Sequence, residues 1–151
     1  MMRLLSRNNN VAVVCESKKF ATTAKKIARA LDAALFFEKK RNISCTVHLV
    51  RDASMRRINK ESRNKDAVTN VLSFESDRGF PHPEAPKNTL WHGDIFLAPY
   101  FITKKGEDIV FLALHGLLHL LGYTHEKKND RMVMEAREKE VLLFISRTSK
   151  K

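Results

Sequence analysis

Three histidines fall within one short segment, His115-Gly-Leu-Leu-His119-Leu-Leu-Gly122-Tyr-Thr-His125. His115 and His119 are spaced i, i+4, so a helix carries both on one face. Their neighbours Ile109, Phe111, Leu112, Leu114, Leu117, Leu118, Leu120 and Leu121 are apolar on almost every side of that helix, which predicts burial. Imidazoles on a buried helix need partners, because unsatisfied polar groups are costly there. A single metal ion satisfies both rings. Gly122 lets the chain turn back, so His125 can close on the same ion. Three neutral imidazoles suit Zn²⁺ and leave a fourth tetrahedral position for water, the pattern of a catalytic site. A structural site would need a fourth protein ligand. Cys15 or Cys45 could supply one, but nothing in the sequence brings either near.

The spacing equals that of the metzincin peptidases, H-E-x-x-H-x-x-G-x-x-H. Their general base is a glutamate, and the matching residue here is Gly116. Glycine cannot take a proton from water. Glu126 lies beyond the third histidine and would have to fold inward to serve. Peptide hydrolysis by the usual route is therefore disfavoured. Phosphodiester hydrolysis depends less on that base, since zinc brings the pKa of a bound water down to about 7. It needs positive charge against the phosphorane-like transition state. Arg63, in the basic stretch before Thr69-Asn70-Val71-Leu72-Ser73-Phe74, is the first candidate for that role.

These residues require elements to hold them. Val11–Cys15 reads as a short buried strand, and Phe20 to Phe37 as a helix with Ile27, Ala28, Leu31 and Leu35 on its apolar stripe. Ile43 to Val50 alternates as a strand, with Ile43, Cys45, Val47 and Leu49 on one side. Asp52 is placed to cap a helix through Asn59, followed by a basic loop from Lys60 to Asp66. Val68 to Phe74 and Gly93 to Leu97 read as strands. Ser76 to Trp91, which contains His82 and three prolines, reads as a long irregular connection. His82 and His92 are expected in loop or strand-edge positions rather than as ligands. A helix is expected from Thr103 or Lys104 to Leu121, ended by Gly122, and a last one from Asp130 to about Ser146. The pattern predicts an α+β fold in which a mixed sheet is flanked by helices.

At 151 residues the chain is expected to form one domain, residues 1–151, and its 43% hydrophobic content supports a sizeable core. No apolar run is long enough to span a membrane. Two cysteines do not make a disulfide framework, so buried reduced thiols and a cytoplasmic location are expected. Residues 1–10 are basic without the apolar stretch of a signal peptide. The 28 basic and 17 acidic residues give a net charge of +11. Lys18, Lys19, Lys25, Lys26 and Arg29 form one basic cluster, and Lys39 to Lys65 hold a broader one. A polyanion such as nucleic acid is the simplest partner, and a solvated basic surface is the alternative.

Three blocks together carry a family resemblance. They are Asn59-Lys-Glu-Ser-Arg63-Asn-Lys65-Asp66-Ala-Val-Thr69-Asn70-Val71-Leu72-Ser73-Phe74, then Gly93-Asp94-Ile95, then the three-histidine segment. Their order and spacing resemble the YbeY family of single-strand-specific, metal-dependent endoribonucleases of ribosomal RNA maturation and ribosome quality control. The resemblance covers roughly residues 40 to 145. It implies zinc on His115, His119 and His125, a functional Arg63 facing the metal cleft, and a zincin-like arrangement of helix and sheet. Lys65, Thr69, Asn70 and Ser73 would line or support that cleft. Implied partners are ribosomal RNA, the small ribosomal subunit with one of its proteins, and the Era GTPase. The family usually has Asp where Thr124 stands, a change bearing on metal affinity, and Pro where Glu75 stands. His92 before Gly93 is also unusual.

Two other readings differ in class. A zinc peptidase with an unorthodox base is weakened by Gly116. A noncatalytic ribosome assembly factor, stiffened by its zinc, would bind RNA without cutting it. Within the nuclease reading, attack by zinc-activated hydroxide and attack by the RNA 2′-hydroxyl are both open.

Overall fold

A computed structural model describes residues 2–6, 10–40, 43–75 and 91–149. Five strands form one mixed sheet: β1 (Met2–Leu5), β2 (Val11–Cys15), β3 (Ile43–Leu49), β4 (Val71–Glu75) and β5 (Trp91–Leu97). Their order across the sheet is β1-β2-β3-β5-β4. Strands β2, β3 and β5 are parallel, and the outer strands β1 and β4 run antiparallel to their neighbours. Helix α1 (Ala21–Phe37), preceded by a 3₁₀ turn over Lys18–Phe20, makes the crossover that parallel β2 and β3 require. The expected α+β architecture, a mixed sheet flanked by helices, is the one observed.

Alternation along the strands separates two apolar layers. Val11, Val13, Cys15, Cys45, Val47, Leu49, Ile95 and Leu97 face α1, α4 (Ile109–Leu120) and α5 (Lys128–Ser149) in the main core. A smaller cluster of Val50, Met55, Leu72 and Ala98 lies under α2 (Asp52–Arg63), with Phe74 and Phe96 packed against it. Both cysteines are buried and free. Burial, with the Asp94 and Asp32 carboxylates adding to it, pushes the Cys45 thiol up to about 12, so it stays protonated.

Several boundaries differ from the sequence reading, each for a local reason. The helix from Asp52 does not stop at Asn59. It runs to Arg63 and ends where Asn64 takes the left-handed conformation at φ 58°. Asp52 is its first residue rather than its cap, which is Arg51. Strand β4 starts at Val71, so Thr69 and Asn70 precede it. The long helix expected before Gly122 is two helices. Pro99 begins α3 (Pro99–Lys104), Gly106 at φ 70° breaks the chain, and Asp108 starts α4 afresh. The last helix starts two residues early, at Lys128, and extends to Ser149. Strand β1 was not anticipated within the basic N-terminal residues. The Ser76–Trp91 connection and His82 lie outside the described residues, apart from the Trp91 backbone at the start of β5.

The Asp108 carboxylate accepts hydrogen bonds from the Val110 and Phe111 backbone N–H groups at 2.9 and 3.3 Å. It thus caps the helix that carries two of the three histidines. Asp108→Ala should lower stability by about 1 kcal/mol. A thermal scan should show this as a fall in Tm of about 2–4 °C. An unchanged Tm would mean that the cap is not needed.

Candidate metal centre

Helix α4 is largely buried, yet after its first two residues three escape burial: Phe111, His115 and His119. They are spaced at i, i+4 and i+8, so they form a single open strip. The flank of the helix at Gly116, about 100° round from His115 and about 60° from His119, lies hard against the sheet. A Cβ added at Gly116 would stand 2.9 Å from Ser73 Oγ and 3.1 Å from Ile95 Cγ2. The missing side chain is what lets the helix approach β4 and β5 this closely. It also means that a side chain at 116 would run into Ser73 and Ile95 at its first carbon.

The helix then ends in a tight reversal. Gly122 at φ 104° donates its N–H to the His119 carbonyl, and Tyr123 donates to the Leu118 carbonyl, both at 3.0 Å. This is the paired C-terminal motif in which glycine supplies the left-handed residue. Tyr123 packs back onto the core, and the chain returns with His125 beside the strip. One ligand nitrogen from each of His115, His119 and His125 lies within 4.8 Å of the others. His115 Nε2 and His119 Nε2 are 3.2 Å apart. The ring centroids of His125 are 5.4 Å from His115 and 4.6 Å from His119. Among the described residues no cysteine or carboxylate joins this set.

Electrostatics favour the ligand form of these rings. Burial, and then the nearby His125, lower the His115 pKa. Burial and then the charges of His115 and His125 lower that of His119. Both rings are therefore biased towards the neutral imidazole that a metal needs. Two imidazole nitrogens 3.2 Å apart can share at most one proton, so a cation between them resolves the contact. The three residues fit a metal ion.

One participant was missed in the sequence. Glu138, in α5, is 4% exposed and places Oε2 3.5 Å from His115 Nδ1. A carboxylate behind a ligating histidine fixes its tautomer and turns the other nitrogen outward. The Tyr123 backbone beside His119 acts in the opposite sense to burial and raises its pKa. The signal for Glu138 was legible, because it sits in the buried stripe Met134, Glu138, Val141 at spacings of four and three. A lone acid in such a stripe needs a partner. Thr124 is exposed.

The other expected site residues are dispersed. Ser73 reaches the metal helix directly, with Oγ 3.4 Å from the Gly116 carbonyl. Asn70 holds Glu107, just before α4, through Nδ2 at 3.2 Å. These two support the helix and touch none of the histidines. Arg63 is exposed in the last turn of α2 rather than in a loop, with its guanidinium 5.8 Å from the centre of the Phe74 ring. Lys65 is exposed, and Thr69 is half-buried ahead of β4. Glu126 is exposed.

Comparison with known proteins follows this geometry. A family model described as Endoribonuclease YbeY matches residues 6–146. The chain belongs to the YbeY family. It is 34% identical over 142 residues to an Endoribonuclease YbeY of Ureaplasma parvum serovar 3, covering 89% of this chain and 86% of that protein. It is 33% identical over 148 residues to one from Moorella thermoacetica, covering 91% and 94%. A Thermotoga maritima protein solved in solution shares the fold, with a TM-score of 0.59 over 93% of this chain and 91% of that one, at 17% identity.

Two substitutions test the YbeY site. Glu138→Gln should weaken metal affinity about 10- to 100-fold, read by competition with a chelator. Unchanged affinity would mean that Glu138 does not orient His115. Gly116→Glu should destabilise the fold by about 1–3 kcal/mol in denaturant titration and create no peptidase activity. A stable variant that hydrolyses peptides would contradict the packing account.

Proposed function

We propose that this chain is a zinc-dependent, single-strand-specific endoribonuclease acting on ribosomal RNA in the cytoplasm. The observation that carries the reading is the three-histidine cluster with no fourth protein ligand among the described residues, in a chain of the YbeY family. Tetrahedral zinc with Zn–N bonds near 2.05 Å sets its nitrogens about 3.3 Å apart. The 3.2 Å between the His115 and His119 nitrogens matches that edge. A nitrogen of exposed His125 lies within 4.8 Å of both, on the side of the third corner.

Zinc bound there supplies a Lewis acid and activates water near neutral pH. The protein residues do the rest. Glu138 holds the His115 ring in its ligating tautomer. Ser73 and Gly116 fix the helix against the edge strand β4. Arg63 is the group for the charge that builds on the scissile phosphate. Its support is positional. It packs on Phe74 of the edge strand β4, on the face opposite to Ser73 and α4, and would reach the metal around that edge. Lys65, Thr69 and Asn70 lie in the segment that joins Arg63 to β4. The small ribosomal subunit, one of its proteins and the Era GTPase are the partners that go with this reading.

Protein purified without added metal should contain about one zinc per chain by mass spectrometry and should cut single-stranded RNA. His119→Ala should lose both metal and cleavage. Arg63→Ala should keep the metal and lose about a hundredfold in kcat. Cleavage by metal-free protein, or undiminished cleavage in both variants, would overturn the reading. Intact RNA binding without any cleavage by the zinc-loaded protein would favour a noncatalytic assembly factor.

A further inference from the structure

The basic cluster near the N-terminus is not used by the metal centre. Residues 17–31 contain Lys18, Lys19, Lys25, Lys26 and Arg29 and no carboxylate. All five cations are exposed. Elsewhere Arg56 is paired with Asp66, and Arg137 with Glu38 and Glu140, but none of these five has an ion pair among the described residues. The nearest acids in sequence are already engaged. Glu16 accepts from the Arg51 backbone and Ser54, and Asp32 accepts from Ser6.

This arrangement works against the helix that carries it. Lys25 and Arg29 are like charges at i, i+4, and Lys26 and Arg29 at i, i+3, each pair unfavourable by a few tenths of a kcal/mol. The first turn of α1 holds no acid, and Lys18 and Lys19 precede it, so the cations crowd the positive end of the helix dipole. A helix face that is only solvated gains from interleaved acids and bases; on this one Asp32, which lines the same depression as Lys25, Lys26 and Arg29 and accepts from Ser6, is the one acid against three cations. Charge of this kind is stabilised by a polyanion. An exposed ring adds a second feature. Tyr100, 47% exposed, packs on Phe20 with centroids 5.1 Å apart, next to Lys18 and Lys19. Lysines beside an exposed aromatic suit a nucleic-acid strand better than an acidic peptide, because a base can stack on the ring.

The patch is separate from the metal centre. Lys25, Lys26 and Arg29 line one depression with Val110, in the first turn of α4. His119 lies nine residues further on, about 13 Å along the axis, and His115 faces roughly 140° round the helix from Val110.

We propose that Lys18, Lys19, Lys25, Lys26 and Arg29 form a second RNA-contact surface, which holds the backbone of a long RNA outside the cleavage cleft. The proposal rests on the endoribonuclease reading, and its test keeps the two apart. The variant Lys25→Gln/Lys26→Gln/Arg29→Gln keeps good helix formers. Binding to a single-stranded RNA of several tens of nucleotides is measured over a salt series, with His119→Ala in both proteins to prevent turnover. Cleavage of an RNA of about eight nucleotides is measured without that change. The slope of log affinity against log salt should become shallower by about 2, from three lost phosphate contacts. Long-RNA affinity should fall severalfold, short-RNA kcat should stay unchanged, and Tm should not fall.

If long-RNA affinity and slope are unchanged while the parent still cleaves, the surface proposal is overturned and the nuclease reading stands. If short-RNA cleavage falls equally, these residues act in the cleft and the separate surface is overturned. Loss of polyglutamate binding with RNA binding intact would assign the patch to an acidic protein instead. If the parent neither binds nor cleaves RNA, both readings fall together.

Discussion

The close approach of α4 to the sheet at Gly116 is the constraint on which the site depends. With no side chain there, the helix settles against Ser73 and Ile95. Its one open strip, carrying His115 and His119, is then turned outward. The same contact disfavours the glutamate found at this place in the peptidase spacing. Burial of the rest of α4 from Leu112 to Leu120 gives the two imidazoles a fixed frame. Burial also biases them to the neutral form. The reversal at Gly122 then brings in His125, and Glu138 approaches His115 from α5. One packing decision thus sets ligand geometry, protonation and the choice of chemistry.

Much of this was legible in the sequence because it rests on local periodicity. The i, i+4 histidines, the apolar surround and the glycine stop are short-range patterns, and the histidine-bearing turns of α4 and its reversal follow them. The alternation in β3 likewise separates Cys45, Val47 and Leu49 from the opposite face. Boundaries were less legible where one residue decides them. Asn64 extends α2 over Arg63 by ending it late, and Gly106 splits one expected helix into two. Least legible were contacts between distant segments. Glu138 meets His115 across 23 residues, and nothing in the local pattern names the partner. Arg63 shows the same limit: its sequence block placed it near the cleft, but its recorded contact is with Phe74.

The charge of the protein is divided between different tasks. Some cations serve the fold. Arg137 binds Glu38 at 2.7 Å and lies 4.7 Å from the centre of the Phe37 ring, tying α5 to the end of α1. The unpaired cations of the 3₁₀ turn and early α1 do nothing of the kind and strain their own helix slightly. Net charge alone could not separate these roles, because +11 counts paired and unpaired groups alike. No described helix is long and apolar enough to cross a membrane.

The central claim is that three histidines, and no other side chains, hold the metal. X-ray absorption at the zinc edge on the metal-loaded protein tests it most directly. Three imidazole nitrogens and one further light atom at about 2.0–2.1 Å, with no sulfur, is the predicted shell. A sulfur at about 2.3 Å would place Cys15 or Cys45 at the metal, against their burial in the main core, and would contradict the account.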